Sequence, residues 1–167
     1  MILGMSTSTF TLVHVLLSLA GIGSGFIVVF GLLSRRTLNG WTAIFLITTV
    51  LTSVTGFLFP FHEVTPGIIL GVLSLIVLAA TIAARYAFHL SGGWRSTYVV
   101  SAIIALYFNC FVAVVQSFEK VPALHELAPT GKEPPFLAAQ LLLLVLFVVL
   151  GVLSVKKFKL GVASAHA

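Results

Sequence analysis

Apolar residues are concentrated in five long runs that are separated by shorter polar segments. An apolar run of about 17–25 residues is long enough to cross the hydrocarbon core of a bilayer as a helix. The runs cover residues 10–33, 41–59, 68–84, 97–118 and 136–155. The pattern predicts an all-α membrane protein in which residues 1–167 form a single transmembrane domain, a bundle of five transmembrane helices.

Basic residues fall mainly on one side of this predicted bundle. If five spans alternate, seven of the nine Lys and Arg residues share one side: Arg35, Arg36, Arg85, Arg95, Lys156, Lys157 and Lys159. Basic residues are retained in the cytoplasm. The N-terminus is therefore predicted to lie outside and the C-terminus in the cytoplasm. All four acidic residues then lie outside, namely Glu63, Glu119, Glu126 and Glu133.

Composition supports the membrane assignment. Hydrophobic residues make up 59% of the chain and charged residues only 8%, whereas soluble domains carry about 25% charged residues. The lipid bilayer is the predicted partner. The net charge of +5 follows from membrane orientation, so no nucleic-acid partner is predicted. Cys110 is the single cysteine, which excludes an internal disulfide and a cysteine-based metal cluster.

Small and polar residues mark the helix faces that are expected to point into the bundle. In the first run His14, Ser18, Gly21 and Gly25 fall on one helical stripe, because residues three or four apart share a face. The Gly21/Gly25 pair permits close approach of either another helix or a flat ligand. Amide side chains need a partner in hydrocarbon. Three amides are accordingly predicted to be intramembrane polar groups inside the bundle: Asn109, Gln116 and Gln140.

Three of the five histidines are expected in the outer half of the bundle, and histidine binds both haem iron and transition metals. The first interpretation is a haem b site formed by His14, His62, His125, Gly21 and Gly25. The second is a divalent transition-metal site formed by His14, His62, Glu63, His125 and Glu126, a ligand set that suits zinc or copper. No fixed-spacing motif selects between them. His62 and His125 also fit a role as solvated loop residues.

The longest connection between predicted spans is the outer loop, residues 119–135. Pro122 favours the first turn of a helix, so a short helix from Pro122 to Ala128 is expected here. The loop is interpreted as a lid over the bundle mouth or as a tight connector between two spans.

The same region carries a resemblance. Residues 115–125 (VQSFEKVPALH), 127–130 (LAPT) and 133–136 (EPPF) resemble a stretch found in small, uncharacterised bacterial multi-span membrane proteins. The resemblance implies a location in the bacterial inner membrane, and it assigns no activity and no site residues.

Three function classes remain after these observations. They are a redox or metal-binding membrane protein, an accessory or scaffold subunit that contacts other membrane subunits or a second copy of itself, and a small transporter or channel. The chain contains no aspartate, no Ser/His/Asp set and no phosphate-binding glycine loop. Hydrolase and transferase activities are therefore not predicted, and a redox activity stays open.

Overall fold

In the computed structural model, residues 2–60 and 66–163 are described, and their regular elements are helices. These are α1 (Thr7–Leu33), α2 (Asn39–Gly56), α3 (Pro66–Ile82), α4 (Trp94–Lys120), α5 (Pro122–Leu127) and α6 (Pro134–Ala163). A π-helical turn, Ala83–Ala87, continues α3. Within the described residues, four helical segments are long and apolar enough to cross a membrane: Thr7–Leu33, Gly67–Ala87, Trp94–Lys120 and Pro134–Phe158. The prediction of a helical membrane protein is confirmed at this level.

The helix boundaries differ from the predicted spans in two instructive places. Helix α2 ends at Gly56, three residues before the predicted end, because Pro60 has no N–H to donate to the Gly56 carbonyl and also disfavours helical backbone at Phe59. Helix α6 continues to Ala163, eight residues past the predicted end, since backbone hydrogen bonding does not require apolar side chains. Helix α5 (Pro122–Leu127) confirms the short helix expected in the outer loop.

Helices α1 and α2 form an antiparallel hairpin. Helix α2 has 18 residues and includes five threonines, and it is not among the four segments that are long and apolar enough to cross a membrane. Three pairs of contacting residues show the antiparallel order: Gly25 with Phe45, Gly21 with Thr49, and His14 with Thr55. Each later residue of α2 contacts an earlier residue of α1. Helix α2 therefore lies beside α1 over nearly all of its own length.

Helix α4 is the central helix of the bundle. It packs against α1, α3 and α6, and Ala105 and Leu106 on it are 0% exposed. Half of its apolar segment is buried, compared with 11% for α6. The core is therefore built around α4, whereas most of α6 is left to face lipid.

At the end of the bundle that carries the basic residues, Arg85 joins three elements. Its Nη2 donates to Asn39 Oδ1 over 2.6 Å, and its guanidinium lies over the Tyr98 ring at 5.3 Å from the centroid. The Tyr98 hydroxyl lies 3.3 Å from Thr42 Oγ1. These contacts link the start of α2, the π-helical turn and the start of α4.

Gly25 offers a direct test of the hairpin packing. A Cβ atom there would lie 2.6 Å from Leu106 Cδ1 and 2.9 Å from Phe45 Cε2, and both side chains are fully buried. Gly25→Ala should therefore lower the free energy of unfolding by about 1–3 kcal/mol. The measurement is unfolding in mixed detergent micelles, followed by circular dichroism.

The matched control is Gly23→Ala on the same helix, where a Cβ would meet nothing within 4 Å. Alanine is the better helix former, so this variant should be neutral or stabilised by up to about 1 kcal/mol. Equal losses in the two variants would contradict the packing described here.

Candidate functional site

His14 lies on the face of α1 that contacts α2. Its Nδ1 is 2.8 Å from Thr55 Oγ1, and the same hydroxyl donates to the Leu51 carbonyl over 2.7 Å. A threonine hydroxyl has one proton, so Thr55 accepts at its lone pair and Nδ1–H of His14 donates. The neutral imidazole therefore carries its proton on Nδ1 and presents a lone pair at Nε2.

The imidazole of His14 also packs against an aromatic ring. The Phe59 ring meets the His14 ring edge-on, with centroids 5.3 Å apart and an interplanar angle of 88°. Phe59 also contacts Phe10, with centroids 5.0 Å apart. No described residue forms a hydrogen bond with His14 Nε2. The ring is thus fixed in orientation by Thr55 while one nitrogen keeps its capacity to bind.

Helix packing occupies the faces of both glycines in the predicted stripe. A Cβ at Gly21 would lie 3.1 Å from Thr49 Oγ1 and 3.2 Å from Asn109 Nδ2. The corresponding position at Gly25 is filled by Leu106 and Phe45. Side chains of α2 and α4 therefore take up the space that the haem interpretation gives to a macrocycle, and haem binding at these glycines stays a prediction.

Two of the three amides that were predicted to lie inside the membrane form hydrogen bonds with groups on neighbouring helices. Asn109 Nδ2 donates to Thr49 Oγ1 over 3.3 Å, which links α4 to α2. Gln140 Nε2 donates to the Phe111 carbonyl over 3.3 Å, which links α6 to α4. Among the described atoms, Gln140 Oε1 is buried without a hydrogen-bond partner.

Gln116 differs from the prediction. Its side chain is exposed and donates to Glu119 Oε2 over 3.0 Å within the same helix. Gln116 lies one turn from the end of α4 at Lys120, where a long side chain can extend toward the interface. It therefore does not contribute a polar group to the bundle interior.

In the part of the chain that the structure describes, no other predicted ligand lies beside His14. His125 and Glu126 are exposed on α5, which packs against α4. His62 and Glu63 lie outside the described residues. Within residues 2–60 and 66–163, no three His, Cys, Asp or Glu side chains gather in a group that could hold a metal ion. The described residues alone therefore do not assemble the predicted metal site.

Thr55 was not among the predicted site residues. The sequence places it with Thr48 and Thr52 on one stripe, where threonines are expected to bond either to carbonyls of their own helix or across to a neighbour. In the structure Thr55 does both, because it donates to the Leu51 carbonyl and also contacts the ring of His14 on another helix. The only signal in the sequence was the shared outer depth of the two residues, which antiparallel spans imply.

The carboxylate of Glu133, immediately before α6, forms hydrogen bonds within the outer loop. Glu133 accepts hydrogen bonds from the Thr130 hydroxyl at 2.8 Å and from the Lys132 N–H at 2.9 Å. Gly131, with φ of +68°, supplies the left-handed turn between them. The Thr130 hydroxyl, with further help from backbone N–H groups, lowers the pKa of Glu133 to about 2.

The Thr55–His14 hydrogen bond makes a stability prediction. Thr55→Val removes the acceptor while keeping the side-chain shape, so it should destabilise the protein by about 0.6–1.7 kcal/mol. Thr48→Val is the control, because the only described hydrogen bonds of the Thr48 hydroxyl are to carbonyls of its own helix. Detergent unfolding measures both variants, and an equal loss in each would show that the bond to His14 contributes nothing.

Comparisons with protein-family models, with curated proteins and with solved structures found no match for this chain.

Proposed function

We propose that the protein is a five-span integral membrane protein with its N-terminus outside and its C-terminus in the cytoplasm. The support for the fifth span is the hairpin of α1 and α2. Because α2 lies beside α1 along its length, it occupies the same membrane depth. Its 18 residues rise about 27 Å, close to the ~30 Å of the hydrocarbon core.

The orientation is supported by the separation of charge between the two ends of the bundle. Arg35 and Arg36 follow α1, and Arg85 and Arg95 flank the turn between α3 and α4. Glu119, Glu126 and Glu133 lie at the opposite end, around α5. Positive residues stay inside, and the resemblance in residues 115–136 favours the bacterial inner membrane.

The function that the geometry supports best is binding of a divalent transition metal, such as zinc or copper, through His14 Nε2. The observation that carries this proposal is the hydrogen bond between His14 Nδ1 and Thr55. A metal-binding histidine usually donates its other ring N–H to a fixed partner. Thr55 supplies that partner and leaves Nε2 as the ligand nitrogen.

His62 and Glu63 are the proposed further ligands. Phe59 contacts the ring of His14, and His62 follows Phe59 by three residues. This closeness in sequence to Phe59 is what supports His62 and Glu63 as further ligands. A metal ion fits this part of the chain better than haem b, because the faces of Gly21 and Gly25 are already filled.

The test is the metal content and visible spectrum of protein purified in a mild detergent from cells supplied with zinc, copper and haem. Near-stoichiometric metal is expected in the wild type, and His14→Ala should lose it. Thr55→Val should weaken metal binding about 10–100-fold. His89→Ala is the control, because His89 lies at the other end of the bundle, after α3, and should leave the metal content unchanged.

A folded, metal-free and colourless preparation would overturn the binding proposal. A haem spectrum that disappears in His14→Ala would instead select haem b as the bound group.

A second candidate function is that of an accessory or scaffold subunit. It is favoured by the use of Asn109 and Gln140 in contacts between helices and by the small buried share of α6. Purification in a gentle detergent, followed by native mass spectrometry, should then recover a stoichiometric membrane partner or a homo-oligomer. A monomer without a partner would argue against this function.

The topology is tested by labelling single cysteines in a Cys110→Ala background. With five spans, Thr37→Cys and Ser91→Cys should be protected from an impermeant thiol reagent in intact cells, and Ala123→Cys should be labelled. If α2 does not cross the membrane, the cysteines at positions 37 and 91 will lie on opposite sides and only one will be protected.

A further inference from the structure

A lateral groove separates α4 and α6 in the half of the bundle that carries the basic residues. It has a volume of about 430 Å³ and runs between Tyr107 at mid-helix and Lys156 near the inner end. Its remaining lining is aliphatic, aromatic or glycine, and includes Ile103, Leu144, Phe147 and Gly151. The volume lies within the ~300–1,000 Å³ range of sites that hold small ligands.

The apolar lining indicates that most of a bound ligand is apolar. A polar ligand would lose its hydrogen bonds to water and gain almost none in return. Val148 and Val152 at the edge are 56% and 49% exposed, so the groove opens sideways toward the lipid. A hydrocarbon chain can therefore enter from the bilayer and fill it.

The charge at one end of the groove indicates which polar group the ligand carries. Among the described residues that line the groove, Lys156 is the only charged one. The chain has four acidic residues, at positions 63, 119, 126 and 133, and the three that the structure describes lie around α5, at the opposite end of the bundle. None of the carboxylate side chains that the structure describes therefore lies at the depth of Lys156, and its positive charge favours an anionic group in the occupant.

The same charge argues against a second copy as the occupant. Two copies in one membrane share an orientation, so a partner would bring its own Lys156, Lys157 and Arg95 to this depth. Like charges repel, and the repulsion is stronger near the low-dielectric bilayer than in water. An anionic lipid avoids this repulsion and neutralises Lys156.

We propose that this groove binds an anionic phospholipid, with one acyl chain between α4 and α6 and the phosphate against Lys156 Nζ. The headgroup contact follows from the position of Lys156 on α6. The assignment to the inner leaflet rests on the proposed orientation of the spans.

The headgroup is tested in nanodiscs that contain equal amounts of phosphatidylglycerol and phosphatidylcholine, with bound lipid read by native mass spectrometry. The wild type should retain phosphatidylglycerol in preference to phosphatidylcholine. A basic residue near the membrane surface contributes about fivefold to the binding of anionic lipid, so Lys156→Gln should lower this preference by about that factor. Lys157→Gln is the control, since Lys157 does not line the groove.

The acyl chain is tested by filling the groove. A Cβ at Gly151 would lie 3.7 Å from Ile103 Cγ2, an ordinary contact, so Gly151→Leu is tolerated at its first atom and places its remaining atoms in the groove. This variant should release the bound lipid whatever its headgroup. Gly23→Leu, at an exposed position of α1, is the matched control and should retain it.

Equal retention of the two lipids by the wild type would overturn the proposal, as would equal losses in Lys156→Gln and Lys157→Gln. A dimer that Gly151→Leu dissociates would identify a second copy as the occupant and would overturn it too. If Gly151→Leu fails to fold, the pair of lysine variants still decides. His14→Ala should keep its lipid, so failure of metal binding and failure of lipid binding are separable.

Discussion

The arrangement of this bundle depends on one constraint: a polar side chain within a membrane helix must find its hydrogen-bond partner in the protein, because lipid tails provide none. Many hydroxyl groups bond to carbonyls of their own helices, although Thr81 also donates to Ser101 on α4 over 2.8 Å, and Thr52 Oγ1 and Ser154 Oγ are buried without a hydrogen-bond partner among the described atoms. Ser24, Ser53 and Ser101 each donate to the carbonyl four residues earlier. Imidazole and amide groups instead reach across, from His14 to Thr55, from Asn109 to Thr49 and from Gln140 to the Phe111 carbonyl. These crossing bonds connect α1 to α2, α2 to α4 and α4 to α6, and they favour one alignment of the helices along each other.

The sequence predicted the long helices well because the bilayer demands a minimum apolar length, and that demand is visible residue by residue. It predicted helix ends less well. Three lysines after Val155 end the apolar run, but the backbone of α6 continues to Ala163, since charged residues at an interface do not interrupt helical hydrogen bonds. Pro60 had the opposite effect on α2, which ends at Gly56 although Phe57, Leu58 and Phe59 are all apolar.

The candidate site shows a different limit of sequence reasoning. Periodicity placed His14, Gly21 and Gly25 on one face of a helix, and in the structure they all contact α2. The partner residues did not follow from periodicity, because they depend on the alignment of α2 along α1, which the turn at residues 34–38 and the packing at Gly25 determine. The role of Gly21 and Gly25 was also ambiguous, because the absence of a side chain allows close approach of either a neighbouring helix or a flat ligand. For Gln116, the sequence predicted a position near the end of α4, but it did not determine the direction of the side chain.

Helix α4 separates the proposed metal site from the proposed lipid groove. Leu106 and Asn109 on one side of it contact α1 and α2, whereas Ile103 and Tyr107 face α6 across the groove. The polar centre at His14 belongs to the α1–α2 hairpin, and the groove belongs to α4 and α6 in the half of the bundle that carries the basic residues. Because the core around Ala105 and Leu106 is fully buried, a close-packed interior separates the two regions and resists small displacements. Lipid in the groove would therefore stabilise the position of α6 against α4 without changing the surroundings of His14, and the two regions would act independently.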